Sequence, residues 1–394
     1  MDQTNTKLFL RFLRFGLLAW GGPVAQIAMI KKELVEDDQW VSKEQFNRAL
    51  AVYQVLPGPE AHELCVYFGM KAKGRWGGFL AGLGFMLPGF LLMLLFTWIY
   101  TRFGIHSPRI QILFAGIQVA VVALIAFAVY RIGKHAIVNK NLWLVAFVSA
   151  FAFLADINFL WILLFAGIIY SLLQMKKLVL SILLIAGIVF YSGYNLYHNG
   201  LSPVNAKEDI TSPRRSISNE PEKVFITGLK GGLLTFGGAY TAIPFIREDA
   251  VVKNHWMSEA QFLDGIALSG ILPAPLIIFS TFVGYFGAGW LGAILITIGI
   301  FLPAFSFTLV GHTLMEKLIA NKSRHNFLDG VTAGVVGLIA MTAVQLLLRT
   351  VHNATAIAIL IVSLLVLLKF KSKYAAILLI VVAGLISLLS YSIF

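Results

Sequence analysis

Apolar segments long enough to cross a membrane recur along the whole chain, separated by short polar stretches. A helix needs about 20 apolar residues to cross the roughly 30 Å hydrocarbon core of a bilayer. The pattern predicts an all-α, polytopic membrane protein of about 13 membrane segments. They cover residues 7–30, 47–69, 76–100, 110–131, 141–156, 158–174 and 177–198, then 223–246, 262–285, 288–314, 327–349, 353–368 and 374–391.

One longer polar stretch divides these segments into seven and six. Residues 200–222 are rich in Ser, Pro, Asn and charge, a composition typical of an exposed linker. We therefore predict a first repeat at 1–199, a linker at 200–222 and a second repeat at 223–394.

The two sides of the linker share motifs at a constant offset of 216 residues, which indicates an internal duplication. Hydrophobicity alone would not keep Gly, Trp and Pro in register. The matched pairs are Trp20-Gly21-Gly22 with Phe236-Gly237-Gly238, Trp40 and Ser42 with Trp256 and Ser258, and Leu56-Pro57-Gly58-Pro59 with Leu272-Pro273-Ala274-Pro275.

Seven crossings in the first repeat would make the second repeat enter from the opposite face, as an inverted repeat. Lys and Arg are more frequent in the loops on one predicted side, and this side is the cytoplasm by the positive-inside rule. We predict a multi-pass protein of the cytoplasmic (inner) membrane, with its N-terminus inside and its C-terminus outside.

Composition narrows the functional classes. Charged residues make up 13% of the chain, against about 25% in soluble domains. The net charge of +12 is explained by basic loops on the cytoplasmic side, so we expect no nucleic-acid partner. One cysteine, Cys65, excludes an internal disulfide. The sequence has no P-loop, metal-ligand spacing or protease motif, so we expect neither an enzyme nor a cofactor.

Gly and Pro interrupt the paired membrane segments at equivalent places, the pattern of many secondary transporters with inverted repeats. A proline inside a helix removes a backbone hydrogen bond, whereas Pro is tolerated in a first turn. Pro59 and Pro275 are therefore predicted to begin half-helices whose N-termini attract anions. Glycines 21, 22, 237 and 238 would let a ligand approach the backbone. The alternative is that these residues only pack and kink helices.

Ionisable residues in the same segments admit two interpretations. Arg14 aligns with Lys230, and this pair either provides charge for a substrate or extends to the membrane interface. Glu60, His62 and Glu63 follow Pro59 as a candidate proton relay, although Glu60 alternatively caps the half-helix. Gly74, Gly78 and Gly82, like Gly284, Ala288 and Gly292, are predicted to form small-residue packing faces.

At these residues the sequence resembles the long-chain form of the chromate ion transporter family. The resemblance is carried by Phe15-Gly16, Gly21-Gly22-Pro23, Gln54, Leu56-Pro57-Gly58-Pro59-Glu60-Ala61 and Gly82-x-Gly84-Phe85-x-Leu87-Pro88-Gly89, with Phe236-Gly237-Gly238-Ala239-Tyr240 and Leu272-Pro273-Ala274-Pro275 in the second repeat. It implies export of chromate, or of the similar dianion sulfate, from the cytoplasm. A sulfate-type uptake permease and a passive anion channel are the alternatives.

The predicted site combines the helix breaks with their neighbouring charges. The protein is expected to contact membrane lipid and an oxyanion, and the sequence leaves assembly into a homo-oligomer open. Membrane potential, with or without proton antiport, would drive transport. Predicted substrate-binding residues are Arg14, Gly21, Gly22, Pro23, Gln54, Pro57, Gly58, Pro59, Lys230, Gly237, Gly238, Tyr240, Thr241, Pro273 and Pro275, and predicted coupling residues are Glu60, His62 and Glu63.

Overall fold

The structure is a computed structural model that describes residues 4–54, 56–104, 108–199, 217–311, 322–370, 372 and 374–393. Within these residues the chain forms α-helices, with no strand. The helices are α1 Asn5–Leu17, α2 Gly22–Lys31, α3 Lys43–Tyr53, α4 Glu60–Ile99, α5 Pro108–Ala136, α6 Lys140–Leu154, α7 Phe159–Gln174, α8 Leu178–Asn199, α9 Pro221–Leu233, α10 Ile243–Arg247, α11 Glu259–Ile271, α12 Phe279–Leu309, α13 Lys322–Thr350, α14 Ala354–Lys369 and α15 Ala375–Ile393.

Five helical segments among the described residues are long and apolar enough to cross a membrane. Four shorter apolar helices accompany them, and together they are those of a multi-pass membrane protein. The number of 13 crossings and the inversion stay predictions. Residues 200–216 of the predicted linker lie outside the described residues. The five segments are Glu60–Phe103, Arg109–Ala136, Leu178–His198, Leu276–Leu309 and His325–Thr350.

The chain divides into two compact units. The first unit comprises Met1–Leu124, Thr211–Thr313 and Thr350–Phe394, so it contains the interrupted segments of both repeats. The second unit comprises Ile125–Ile210 and Leu314–Arg349. In the second unit, α6, α7 and α13 share an apolar core that includes Val145, Ala166 and Val336.

Helices α4 and α12 are each two helical arms that fold back on one another. Lys73 and Gly74 leave helical geometry in α4, and Ala288 and Gly289 do so in α12. The hydroxyl oxygens of Thr281 and Thr297 lie 2.8 Å apart, although a continuous helix would separate these residues by about 24 Å. The chain therefore reverses at these glycines, whose φ angles are +64° and +60°.

These reversals correct the interpretation of two small residues. Gly74 and Ala288 were predicted on helix packing faces, but they lie in the turns between arms. Glycine suits the Gly74 turn because its φ angle is unfavourable for other residues. Gly78 and Gly82 do pack, since an added Cβ at either would overlap side chains of Leu309 or Phe305.

The second arm of α4 packs against α1, and the second arm of α12 packs against α9, in each case at a glycine of the smaller helix. A Cβ on Gly16 of α1 would overlap the carbonyl oxygen of Phe85 in α4. A Cβ on Gly232 of α9 would likewise overlap the carbonyl oxygen of Ile300 in α12. The equivalent contacts in the two repeats show that the duplicated sequence forms duplicated packing.

Local features also repeat at the same spacing. Ser42 with Gln45 forms a capping box at the start of α3, and Ser258 with Gln261 does so at α11. Each box joins two backbone N–H groups to side chains and stabilises a helix N-terminus. Helices α3 and α11, which lead into the two proline breaks, therefore begin in the same way.

Candidate functional site

The first helix break lies between α1 and α2. Gly21 and Gly22 have φ angles of +89° and +77°, values that disfavour residues with a Cβ. Pro23 occupies the first turn of α2, where its missing N–H costs no hydrogen bond. A Cβ added to Gly22 would meet no described heavy atom within 4 Å, so its backbone borders open space.

The equivalent break of the second repeat follows α9. Gly237 and Gly238 have φ angles of +73° and +121°. A short 3₁₀-helix, Ala239–Ala242, then leads into α10. The buried hydroxyl of Thr241 donates a hydrogen bond of 2.7 Å to the Gly238 carbonyl, which closes the turn. The predicted glycines thus form backbone turns in both repeats.

The two proline-containing breaks follow α3 and α11. Pro59 immediately precedes α4, whose first intrahelical bonds run from the N–H groups of His62 and Glu63 to the Pro59 carbonyl. The N–H groups of Glu60 and Ala61 precede these bonds, as at any helix start. Pro275 precedes a 3₁₀-turn, Leu276–Ile278, that continues into α12. Both prolines begin helical segments, as the sequence predicted.

The four breaks meet inside the first unit. The N–H of Gly58 donates a 2.8 Å hydrogen bond to the carbonyl of Thr235, one residue before the Phe236-Gly237-Gly238 motif. A Cβ on Gly238 would lie 4.0 Å from Cγ of Pro23. Each contact joins one repeat to the other, so backbone turns that are distant in sequence share one region.

Gln26 makes the remaining connection and was missed by the sequence analysis. Its buried amide nitrogen donates to the carbonyls of Ala19, at 3.0 Å, and Ala274, at 3.1 Å. Ala19 and Ala274 align with Thr235 and Gly58 at the offset of 216. One junction is therefore a direct backbone bond and its counterpart is bridged by a side chain. Ala242 occupies the equivalent position in the second repeat and has no amide group that could form such a bridge.

The three predicted coupling residues lie in the first turn of α4. Glu60 is 8% exposed, and His62 and Glu63 are fully buried. Neither oxygen of Glu63 has a hydrogen-bond partner among the described residues. Neither ring nitrogen of His62 has a hydrogen-bond partner among the described residues.

Aromatic side chains from both repeats surround the His62 ring. The ring centroid lies 6.5 Å from that of Phe85, 4.7 Å from that of Phe301 and 4.8 Å from that of Phe305. Buried ionisable groups without partners are costly at membrane depth and mark functional sites. Glu63 and His62 are thus buried ionisable groups without a hydrogen-bond partner among the described residues.

The predicted cations are held by carboxylates of their own repeats. Lys230 Nζ lies 2.8 Å from Oδ2 of Asp249, and Arg14 Nη1 lies 3.5 Å from Oε1 of Glu33. Glu33 and Asp249 themselves align at the offset of 216, so the ion pair is duplicated. These contacts place Arg14 and Lys230 in ion pairs, and a substrate role for them stays a prediction.

Other predicted residues lie at the edges of the breaks. Gln54 is exposed at the end of α3, and Tyr240 is half-buried in the 3₁₀-helix. Pro57 is half-buried and Pro273 is buried, each inside its own break. Their contribution to substrate binding stays a prediction.

Asp264 on α11 is another buried acidic residue, and it lies at the position equivalent to Arg48 of the first repeat. Its Oδ2 accepts a 2.6 Å hydrogen bond from the hydroxyl of Tyr100, and its Oδ1 accepts one of 2.9 Å from the Gln118 amide. Both donors belong to the first repeat and Asp264 to the second. This network ties the repeats together outside the helix breaks.

The sequence profile that describes chromate transporters matches this chain twice, at residues 6–171 and 223–388. The chain belongs to the chromate transporter family. The two matches lie within the two predicted repeats, 1–199 and 223–394, and the first ends before the predicted segment at 177–198. Membership makes this protein a transporter and not an enzyme.

Relatives extend this finding over nearly the full length. A chromate transport protein of Pseudomonas aeruginosa is 48% identical over 385 residues, 96% of this chain and 91% of the relative. One from Cupriavidus metallidurans is 30% identical over 390 residues, 98% of this chain and 94% of the relative. The uncharacterized transporter YwrA of Bacillus subtilis is 33% identical over 131 residues, 33% of this chain and 72% of the relative. No solved structure matches this chain.

Proposed function

We propose that this transporter exports chromate, or a similar tetrahedral oxyanion such as sulfate, from the cytoplasm. The observation that carries the proposal is the meeting of four helix breaks from two repeats in one region. Helix N-termini offer free N–H groups and partial positive charge, which suit an anion. Relatives that bear the name chromate transport protein support the choice of substrate.

The binding region consists of backbone turns more than of charged side chains. Pro23 of the first repeat lies near Gly238 of the second, since a Cβ added to Gly238 would be 4.0 Å from Cγ of Pro23. Open space beside Gly22 supports close approach of a ligand to the main chain. Chromate and sulfate share charge and shape, so such a site would separate them poorly.

Membrane potential is the proposed driving force. A dianion that leaves an inside-negative cell gains about 2.3 kcal/mol per charge per 100 mV, or about 4.6 kcal/mol in total. That free energy sustains a gradient of more than about a thousandfold. Export thus needs no ATP, and proton antiport through Glu63 or His62 stays a prediction.

The proposed topology places the N-terminus in the cytoplasm, the C-terminus outside and the two repeats in inverted orientation. The arrangement follows from the predicted seven crossings of the first repeat and from the excess of Lys and Arg in the loops on one predicted side. Because Cys65 is the one cysteine, a Cys65→Ala chain accepts single reporter cysteines. A cysteine at Asp2 should react with an impermeant reagent only after lysis, and one added after Phe394 should react in intact cells. Reaction of both on one side would contradict the predicted odd total of 13 crossings.

Transport is tested in proteoliposomes that contain radiolabelled chromate under a potassium diffusion potential. Vesicles with the interior negative should lose chromate, and those with the interior positive should retain it. Unlabelled sulfate should compete for the same saturable flux. Flux without saturation would indicate a channel, and accumulation against the potential would indicate an uptake permease.

A further inference from the structure

Glu63 places its carboxyl group directly against the first proline-containing break. A Cβ on Gly58 would lie 2.9 Å from both Cδ and Oε1 of Glu63. Gly58 is the residue whose N–H joins the two repeats through Thr235. The Glu63 side chain is fully buried and both oxygens lack a hydrogen-bond partner among the described residues. The carboxyl group therefore lies beside the proposed anion-binding N-terminus of α4.

No described side chain donates a hydrogen bond to this carboxyl. The basic residues near it in the sequence are Arg48 on α3 and Lys71, Lys73 and Arg75 on α4. Residues 77–99 of α4 contain no titratable side chain, and α12 contains only Tyr285. On α1, Arg11 and Arg14 pair with acidic residues of their own repeat. Lys230 on α9 pairs with Asp249.

The titratable groups nearest Glu63 in the sequence provide no positive charge to balance its carboxylate. Glu60 lies one turn before it on α4 and is a second acid, while His62 is enclosed by Phe301 and Phe305. A dianion at the start of α4 would add two negative charges beside a buried carboxylate. Charges of one sign repel strongly where water is excluded. Protonation of the carboxyl removes this repulsion.

We propose that Glu63 takes up a proton when the oxyanion binds, so that proton and anion occupy the site together. The proton comes from water and bonds to one carboxylate oxygen of Glu63, and no other bond changes. The inference rests on the proposed function, because it places the transported anion at the helix breaks. It specifies that proton binding to Glu63 and anion binding favour each other, a direction that burial and sequence position alone did not define.

Joint binding of proton and anion at Glu63 is the opposite of the proton antiport predicted from the sequence. In antiport through this residue, proton and anion would occupy the site alternately. With joint binding, anion affinity falls by up to about tenfold per pH unit above the titration of Glu63. If the proton also crosses, the charge moved falls from two to one. The gradient sustained per 100 mV then falls from above a thousandfold to about fiftyfold.

Calorimetry on the purified full-length protein tests the inference without a variant. Chromate is titrated at neutral to alkaline pH, where it remains a dianion, in two buffers of different ionisation enthalpy. We expect the apparent enthalpy to differ between buffers, and the difference should correspond to a proton uptake that rises towards one per anion as the pH passes above the titration of Glu63 in the anion-free protein. Saturable binding whose proton uptake does not rise with pH, or that releases protons, would overturn the inference.

A matched pair of variants assigns the proton to its residue. Glu63→Gln keeps the shape of the side chain and mimics the protonated form, so its chromate affinity should be independent of pH. Its affinity should equal that of the unmodified protein at the lowest pH tested. Glu44→Gln removes an exposed acid at the start of α3 and should keep the full pH dependence. Retained pH dependence in Glu63→Gln would overturn the assignment.

The outcomes also separate this inference from the proposed function. If the unmodified protein neither binds nor transports chromate, the proposed function fails. If it transports chromate with pH-independent affinity, only the role of Glu63 fails. A melting temperature of Glu63→Gln at or above that of the unmodified protein would confirm that the variant folds. The comparison of two buffers uses the unmodified protein, so it remains valid even if the variant does not fold.

Discussion

Replacement of Lys230 by alanine would remove the partner of a buried carboxylate. Asp249 has a side chain that is 3% exposed and accepts hydrogen bonds from Lys230 Nζ at 2.8 Å and Thr227 Oγ1 at 3.0 Å. Without Lys230, one neutral hydroxyl would face the charge. Loss of one partner from a buried ion pair costs about 3–5 kcal/mol. Because Lys230 is 35% exposed, water screens part of this cost and we expect about 3 kcal/mol.

Arg14→Ala is the matched comparison, because Arg14 occupies the equivalent position in the other repeat. Its side chain is 67% exposed and its ion pair with Glu33 is longer, at 3.5 Å. Exposed pairs contribute about 0–1 kcal/mol. Equilibrium unfolding in mixed micelles should therefore show a much larger loss of stability for Lys230→Ala than for Arg14→Ala. Equal losses would contradict the structural reasoning.

A compensating variant separates a structural role of Lys230 from a substrate role. Lys230→Ala with Asp249→Asn removes both charges, so most of the lost stability should return. Arg14→Ala and Lys230→Ala are each expected to weaken chromate flux without blocking membrane insertion. If Lys230 acts only through Asp249, the double variant should recover flux. Recovered stability without recovered flux would assign Lys230 to substrate binding, and no recovery of stability would refute the ion-pair argument.

Two further substitutions test the contacts between the repeats. Gln26→Ala leaves the carbonyls of Ala19 and Ala274 without their shared donor, so it should lower the unfolding free energy by about 2 kcal/mol. The control is Gln54→Ala, at an exposed glutamine, which should change the unfolding free energy by less than about 0.5 kcal/mol. The new Cβ of Gly89→Ala would overlap Cβ of Ala274, so this variant should lower the unfolding free energy by about 1–3 kcal/mol. In the control, Gly187→Ala, the new Cβ meets no described atom within 4 Å, so this variant should stabilise α8 by up to about 1 kcal/mol. Equal effects within either pair, measured by the same unfolding assay, would show that these contacts contribute little.

The helix breaks were predictable because their cause is local. Proline cannot donate a backbone hydrogen bond, and glycine accepts positive φ angles, so Pro59 and Gly21 interrupt a helix in almost any surroundings. The duplication was equally visible, since Gly, Trp and Pro kept one offset over many residues. The family match at residues 6–171 and 223–388 confirms the resemblance that these motifs carried.

Partners of polar side chains were not predictable in the same way. Arg14 and Lys230 were considered as free charges, yet each pairs with a carboxylate 19 residues further on. The roles of Gly74 and Ala288 were wrong because a reversal between two arms depends on contacts such as Thr281 with Thr297. Gln26 carried no motif that would distinguish it from any other amide.

The amino-acid order alone established a membrane protein of two repeats, its interrupted helices and its family, since these follow from hydrophobic length, backbone chemistry and internal repetition. Tertiary packing established that the breaks meet, that Gln26 bridges one junction and that Glu63 lies against Gly58. Those contacts join residues separated by up to 248 positions. A local pattern cannot specify them, because each depends on how distant segments of the chain pack together within the first unit.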